Sequence, residues 1–329
     1  MGGDPLQVLP EEESSAQLDR YGQKIVEHAR RRGIDVQVLD ARDGYLLLTS
    51  GSRRIVTRCS LSELTSATAA SWCQDKRLTR KLLDAAGLRV PRGQLATFDA
   101  SDVAFLREVG EVVVKPVNGE QGWGVTVGVR DPDSLERARR ISQRYCPSVL
   151  LEECCDGQDL RVVVIAHRVV AAAVRHPPRV AGNGRDTIAG LIAQCSAECE
   201  SRSGGESMIP VDDHLRDTVA CAGYRLDDVL DEGVTLAVRR NANLHTGGTI
   251  EDVTEILHPE LARVAVLASK VLQIPVVGID LLVPSTQGAD YVIIEANERP
   301  GLDNHQPQPT HECFLDLLFP ETRSPQKEV

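Results

Sequence analysis

The stretch "VVVKPVNGEQGWGVTVGV", residues 112–129, organises the reading of the whole chain. A valine run ends in Lys115-Pro116, a loop carries Gly119, Gly122 and Gly124, and Val125, Val127 and Val129 then alternate. The apolar residues on both sides predict a strand, a loop and a second strand. Glycines let backbone N–H groups approach an anion closely, so one reading of the loop is phosphate contact beside Lys115. The other is a plain hairpin turn with an adjacent lysine. The segment lacks the Gly-Lys-Ser/Thr of a P-loop, and GEQGWG does not open a helix as a dinucleotide fingerprint must.

The chain has 329 residues, 42% hydrophobic and 26% charged, enough for two or three subdomains with real cores. Aromatic residues make up only 3%, so Val, Leu, Ile and Ala must build those cores. A net charge of −11 excludes the basic footprint of a nucleic-acid binder, and no nucleic-acid partner is expected. No apolar run approaches the roughly 20 residues of a membrane span, and no signal pattern opens the chain. Nine cysteines, an odd number with Cys154 and Cys155 adjacent, suit reduced thiols in a cytoplasm better than a disulfide framework. Cys195 and Cys199 stand at helical spacing without a second ligand pair, which favours a structural role over a metal site.

Residues 1–15 read as a flexible acidic leader and 16–70 as a small α/β domain. Within the latter, Leu18, Tyr21, Ile25 and Ala29 mark a helix that ends at Gly33. Residues 71–155 open with a helical stretch closed by Gly87 and include the glycine loop. Residues 156–329 continue with two antiparallel strands, a helix over 185–202 and a strong helix over 258–273. A strand–turn–strand unit ending in "YVIIEAN" and a short C-terminal helix follow. Roughly ten strands in hairpins with helices between them predict an α+β, or mixed α/β, class.

The last hairpin holds the most specific chemistry. Glu295 and Asn297 project to one side of their strand, and the turn brings Asp280 opposite them. Oxygen donors on an otherwise apolar hairpin suit a hard cation such as Mg²⁺, and polar residues are disfavoured at strand positions. In "LLEECCDGQD", Glu152 and Glu153 lead into a connector whose backbone could meet a purine edge, with Asp159 placed for ribose hydroxyls. Lys76 precedes a helix, while Arg161, Arg175, Arg239, Arg240 and Arg299 flank strands.

Taken in order, these features resemble the ATP-grasp superfamily over nearly the whole chain. The resemblance includes "DKRLTRKLLDAAGLRVPRG" (75–93), "RNANLHTGG" (240–248 with Arg239 before it) and "GID…EANERPGL". Residues 175–192 and 241–248 look like cyanophycin synthetase and the glutathione-synthesising module of bifunctional glutamate–cysteine ligases. "ERPGLDNHQPQPTHECFLDLLFP" looks like the ligase half of N-acetylglutaminylglutamine amide synthases, whose acetyltransferase domain a 15-residue leader is too short to hold.

The resemblance implies an ATP-grasp fold with an N-terminal pre-ATP-grasp domain. It implies an ADP-forming ligase that makes an amide through an acyl phosphate, acting on an amino acid or short peptide. The glycine hairpin with Gly119, Gly122 and Gly124 becomes a lid over the ATP phosphates, with Lys115 at its root and Lys76 opposite. Glu152 and the backbone near Glu153 and Cys155 hold adenine, and Asp159 holds ribose. Asp280, Glu295 and Asn297 hold two Mg²⁺ ions, for which Mn²⁺ can substitute. Arg299 and Arg239 are the expected catalytic arginines, and Arg161, Arg175, Asn243 and His245 the expected substrate contacts. The family association extends to homodimers or tetramers. The alternatives are a silent ATP-binding module and an ATP-grasp enzyme with another acceptor nucleophile. A Ser/His/Asp hydrolase lacks its nucleophile elbow.

Overall fold

The computed structural model describes residues 14–119, 123–205 and 207–323. Gly122 and most of the leader lie outside the described residues. The first helix, α1 (Arg20–Arg31), is capped by Asp19, whose carboxylate accepts from the Gly22 amide at 2.7 Å. Its buried residues Gly22, Ile25, Val26 and Ala29 follow helical spacing and face one core. Strands β1 (Asp35–Asp40), β2 (Tyr45–Ser50), β3 (Arg53–Arg58) and β4 (Leu61–Ser62) form an antiparallel sheet beside it.

Two helices follow, α2 (Ala67–Gln74) and α3 (Lys76–Ala85), separated by Asp75, which caps α3 through the Leu78 amide at 2.9 Å. A second sheet runs in the order β5 (Gly93–Leu95), β8 (Val149–Glu153), β6 (Val112–Pro116), β7 (Thr126–Val129), with α4 (Ala100–Val109) and α5 (Pro132–Gln143) on it. The expected strand–loop–strand is thus β6, the glycine loop and β7.

The third sheet positions the chemistry. Its order is β13 (Thr249–Asp252), β10 (Arg168–His176), β9 (Gln158–Ile165), β14 (Val276–Val283), β15 (Val292–Asn297), all antiparallel. Alternation along β9 explains how this sheet serves two purposes. Leu160, Val162 and Val164 face a core built with α2, α3 and α8 (Pro259–Val271). Asp159, Arg161, Val163 and Ile165 share the other face. Its Val163–Ile165 end packs under α1, the first sheet and α9 (Thr310–Leu318). The Asp159–Arg161 end is left uncovered by that core and lines a cavity. A fourth unit comprises β11 (Arg179–Ala181), α6 (Ile188–Ser203), α7 (Asp213–Cys221) and β12 (Thr235–Ala237), closed around its own core from Val180 to Val238.

These cores refine the expected segmentation. Ala69, Cys73, Leu83 and Leu88 pack with the third sheet and not with the glycine-loop sheet, so a division at residue 71 does not follow the packing. The strands number fifteen among the described residues, more than expected, because short pairs such as β11–β12 carry too few residues to display a period. None of the described helices is long and apolar enough to cross a membrane.

Candidate active site

A cavity of about 1970 Å³ lies between the second and third sheets, bordered also by the first sheet and the α6 unit. Lys76, Lys115, Gly119, Glu152, Glu153, Cys155, Asp159, Arg161, Arg175, Asn243, His245, Asp280, Glu295, Asn297 and Arg299 all line it. Residues spread from Lys76 to Arg299 therefore converge on one space.

Lys76 ties its parts together. From the first turn of α3 its Nζ donates to the Gly119 carbonyl at 2.6 Å and pairs with Glu295 at 3.0 Å. Gly124, at the far end of the loop, has φ +73°, and a Cβ there would meet Tyr145 at 2.6 Å and Pro116 at 3.0 Å. Both backbone conformation and space therefore require glycine at that position.

Lys115 sits 2.5 Å from Glu152, and both are buried. Arg80 completes the group, its Nε and Nη2 donating to the two Glu152 oxygens at 2.8 and 3.2 Å. Burial pushes the Lys115 ammonium below its ordinary pKa, against the pull of Glu152. Burial opposes ionisation of Glu152 as well, but Lys115 and Arg80 outweigh it and hold the carboxyl below its usual range. Glu152 was expected at adenine; its carboxylate instead serves two buried cations. The Glu153 and Cys154 amides are taken by the Arg92 and Glu111 carbonyls, while the Cys155 amide has no backbone partner among the described residues.

Asp280 and Asp159 also differ from expectation. Asp280 stands directly across from Glu295 on β15 and from Arg161 on β9. Both its oxygens accept from Arg161, one at 2.8 Å from Nη2, and Arg175 adds a contact at 3.0 Å. Arg175 also holds Asp159, its Nη2 and Nε donating to Oδ1 at 2.7 and 3.0 Å, so this carboxylate is a partner of that arginine. Burial raises the Asp159 carboxyl above its ordinary pKa; Arg175 opposes the rise and the neighbouring negative charge of Asp280 adds to it. Burial also disfavours the ionised form of Asp280, yet the two arginines hold its pKa below the carboxylate range.

Donor chemistry decides whether this region suits a divalent cation. Glu295, Asn297 and Asp280 offer hard oxygens, and Asn297 Nδ2 lies 3.3 Å from Asp280, so the three side chains adjoin. Among the described residues, no three His, Cys, Asp or Glu side chains stand where they could hold a metal ion, and the present set includes an asparagine. The oxygens at Glu295 and Asn297 fit Mg²⁺, with Asp280 behind them as counter-ion of two arginines.

Arg239 departs furthest from expectation. It is buried outside the cavity lining, donates to Asp212 at 2.9 and 3.1 Å and to the Pro210 carbonyl at 3.1 Å, and so braces the start of α7. Arg240 lines the cavity and lies 3.4 Å from the Val127 carbonyl of β7. Asn243 accepts from the His245 amide at 2.9 Å, which turns that segment along the cavity edge. Arg299 follows β15. Arg80 escaped sequence reasoning, although it was findable from its spacing one turn after Lys76.

His305 is 4% exposed, and its Nδ1 has no hydrogen-bond partner among the described residues. Burial, followed by the charge of Arg161, pushes its pKa down to about 4. An unfolded chain takes up that proton near pH 6.5. Between the two values the unfolded state binds more protons, so stability falls as pH falls. Acidification from pH 7.5 to 5 should cost about 2 kcal/mol through this group alone. His305→Gln should flatten the pH dependence of denaturant-measured stability relative to the unsubstituted chain, and an equal slope in both would refute the assignment.

The chain is similar to known proteins over most of its length. The chain is 31% identical to the cyanophycin synthetase of Trichormus variabilis, over 97% of this chain and 37% of that protein. It is 27% identical to a bifunctional glutathione-biosynthesis protein of Enterococcus faecalis, over 89% of this chain and 41% of that one. The crystal structure of a bifunctional glutathione synthetase from Pasteurella multocida shares the fold, with a TM-score of 0.66 and 24% identity over 92% of this chain and 44% of that one. This chain spans less than half the length of each. The match to the RimK-like ATP-grasp domain over residues 73–184 and 229–310 takes in more than half of the chain and every residue from Lys76 to Asp159 discussed above, together with Asp280, Glu295 and Asn297: the chain belongs to the ATP-grasp family.

Proposed function

We propose that the chain is an ATP-dependent, ADP-forming carboxylate–amine ligase that acts on an amino acid or short peptide through an acyl phosphate. One observation carries this reading. Lys76 contacts both Gly119 of the glycine loop, at 2.6 Å, and Glu295 of the oxygen-donor strand, at 3.0 Å. In this reading phosphate-facing and cation-facing groups meet in one cavity.

Hydroxide is too poor a leaving group for direct amide formation from a carboxylate. In this reading a carboxylate oxygen attacks the γ-phosphorus of ATP and ADP leaves. The amine nitrogen then attacks the acyl carbon, inorganic phosphate departs with the former carboxylate oxygen, and the amine gives up a proton. Lys76 and Lys115 neutralise phosphate charge, and the Lys115–Glu152–Arg80 group keeps one net positive charge facing the cavity. The connector at Glu153 and Cys155 takes the adenine edge, and Gly119, Gly122 and Gly124 belong to the closing loop. Arg299, with the Arg161 and Arg175 pair, holds the reacting carboxylate and the oxyanion, while Asn243 and His245 contact the second substrate. Mg²⁺, two ions with Mn²⁺ as a substitute, would be held by Glu295 and Asn297, with Asp280 behind them as counter-ion of Arg161 and Arg175, and would supply charge neutralisation at the phosphate oxygens.

The proposal includes a cytoplasmic setting, in keeping with nine free cysteines, small-molecule substrates in place of nucleic acid or membrane, and a homodimer or tetramer. The test is nucleotide release with pooled amino acids and dipeptides, followed by mass spectrometry of products. ADP and inorganic phosphate should accumulate with an amide product. AMP and pyrophosphate would replace the acyl phosphate with an adenylate and overturn the mechanism.

A further inference from the structure

Lys76 and Arg80 lie one turn apart on α3 and therefore on one face of it. Each reaches from the glycine-loop sheet to the third sheet. Lys76 does so at the cavity surface, between Gly119 and Glu295. Arg80 does so deeper, at 8% exposure: its guanidinium grips both Glu152 oxygens on β8 and also donates to the Ile294 carbonyl on β15. Glu152 in turn holds Lys115 at 2.5 Å.

We propose that Arg80 is a positioning residue that fixes Lys115 relative to β15, the strand carrying Glu295 and Asn297. The proposal rests on the ligase reading in one respect, that Lys115 faces a phosphate. A planar guanidinium fork sets the plane of the carboxylate it binds, which a lone ammonium does not. With Arg80 present, the Glu152 carboxylate has a set orientation and shares its charge between two cations. Lys115 therefore keeps net positive charge toward the cavity. With Arg80 removed, Lys115 and Glu152 close into a neutral pair, and the link from β8 to β15 is lost.

The test compares Arg80→Met and Arg80→Lys with the unsubstituted chain. Arg80→Met should lower kcat by 10- to 100-fold and weaken ADP affinity by less than 10-fold, since misplacement by about 1 Å costs rate more than binding. Arg80→Lys should restore much of the ADP affinity, having the charge, but little of kcat, lacking the fork. A further readout is ADP affinity against pH, measured without metal. The charged groups facing Lys115 are Glu152 from β8, Arg80 from α3 and Glu295 from β15. Removing Arg80 takes away a repelling cation, so the alkaline limb should move to higher pH. If both variants lower thermal stability but keep kcat and the alkaline limb, Arg80 is structural only and the proposal fails. Should Arg80→Met not fold, Arg80→Lys decides: lost kcat at retained stability supports positioning, and full kcat overturns it. A chain that binds ADP but forms no product with any substrate would defeat the ligase reading, while the pH profile would still test Arg80.

Discussion

Glu295→Gln should lower ligase turnover by roughly 10²–10⁴, about 3–5 kcal/mol of transition-state stabilisation, while barely changing thermal stability. Glu295 is half-buried at the cavity edge of β15, paired with Lys76 and opposite Asp280. The amide keeps the shape and removes the charge. Its loss should also raise the Mg²⁺ concentration needed for half-maximal turnover, because one hard anionic donor is gone. Asn297→Asp should be milder, since it retains an oxygen at the same place. The measurement is turnover against Mg²⁺ concentration, with thermal melting in parallel. Near-normal turnover of Glu295→Gln would make the carboxylate structural and would favour a silent nucleotide-binding module over an enzyme.

Glu152→Gln should act in the opposite way, on the fold first. Its carboxylate is the shared anion of Lys115 and Arg80 in a buried group. Neutralising it leaves two buried cations facing each other, and breaking such a group costs roughly 3–5 kcal/mol. Equilibrium denaturation should show that loss, and nucleotide affinity should fall with it as Lys115 loses its anchor. The acid side follows from the same carboxyl. Its pKa is held below the ordinary value, so its stabilisation is present above about pH 4.5 and is lost as pH falls through the lower folded value. A Glu152→Gln chain as stable as the unsubstituted one would show that the pairing contributes little.

Much of this arrangement was legible in the sequence because period-two alternation fixes which residues share a sheet face. Glu295 and Asn297 on one side of β15, with Asp280 across from them, followed from the hairpin pattern alone, and the register pairs Asp280 with Glu295. The glycine loop followed from valine runs on either side of it. What could not be read came from partners distant in sequence. Nothing near Asp280 says that Arg161 and Arg175 neutralise it, because those arginines arrive on β9 and β10. Likewise the Glu152 carboxylate looks free in "LLEECC" until α3 delivers Arg80. Arg239 and Arg240 illustrate a parity problem. Adjacent residues near a strand end point to opposite sides, and composition does not say which side is the cavity. Here Arg240 faces it and Arg239 braces Asp212. The α6 helix was legible over 185–202, but the unit around it was not, as its core joins Val180 to Val238 through a pair of three-residue strands.

The central claim is that a carboxylate oxygen is phosphorylated and later departs with phosphate. It is tested most directly by supplying the carboxylate substrate, once the product screen identifies it, with ¹⁸O in both carboxyl oxygens. The account predicts one ¹⁸O in each molecule of inorganic phosphate released during amide formation, and none in nucleotide. Label recovered in AMP, or phosphate released without label while amide forms, would contradict it.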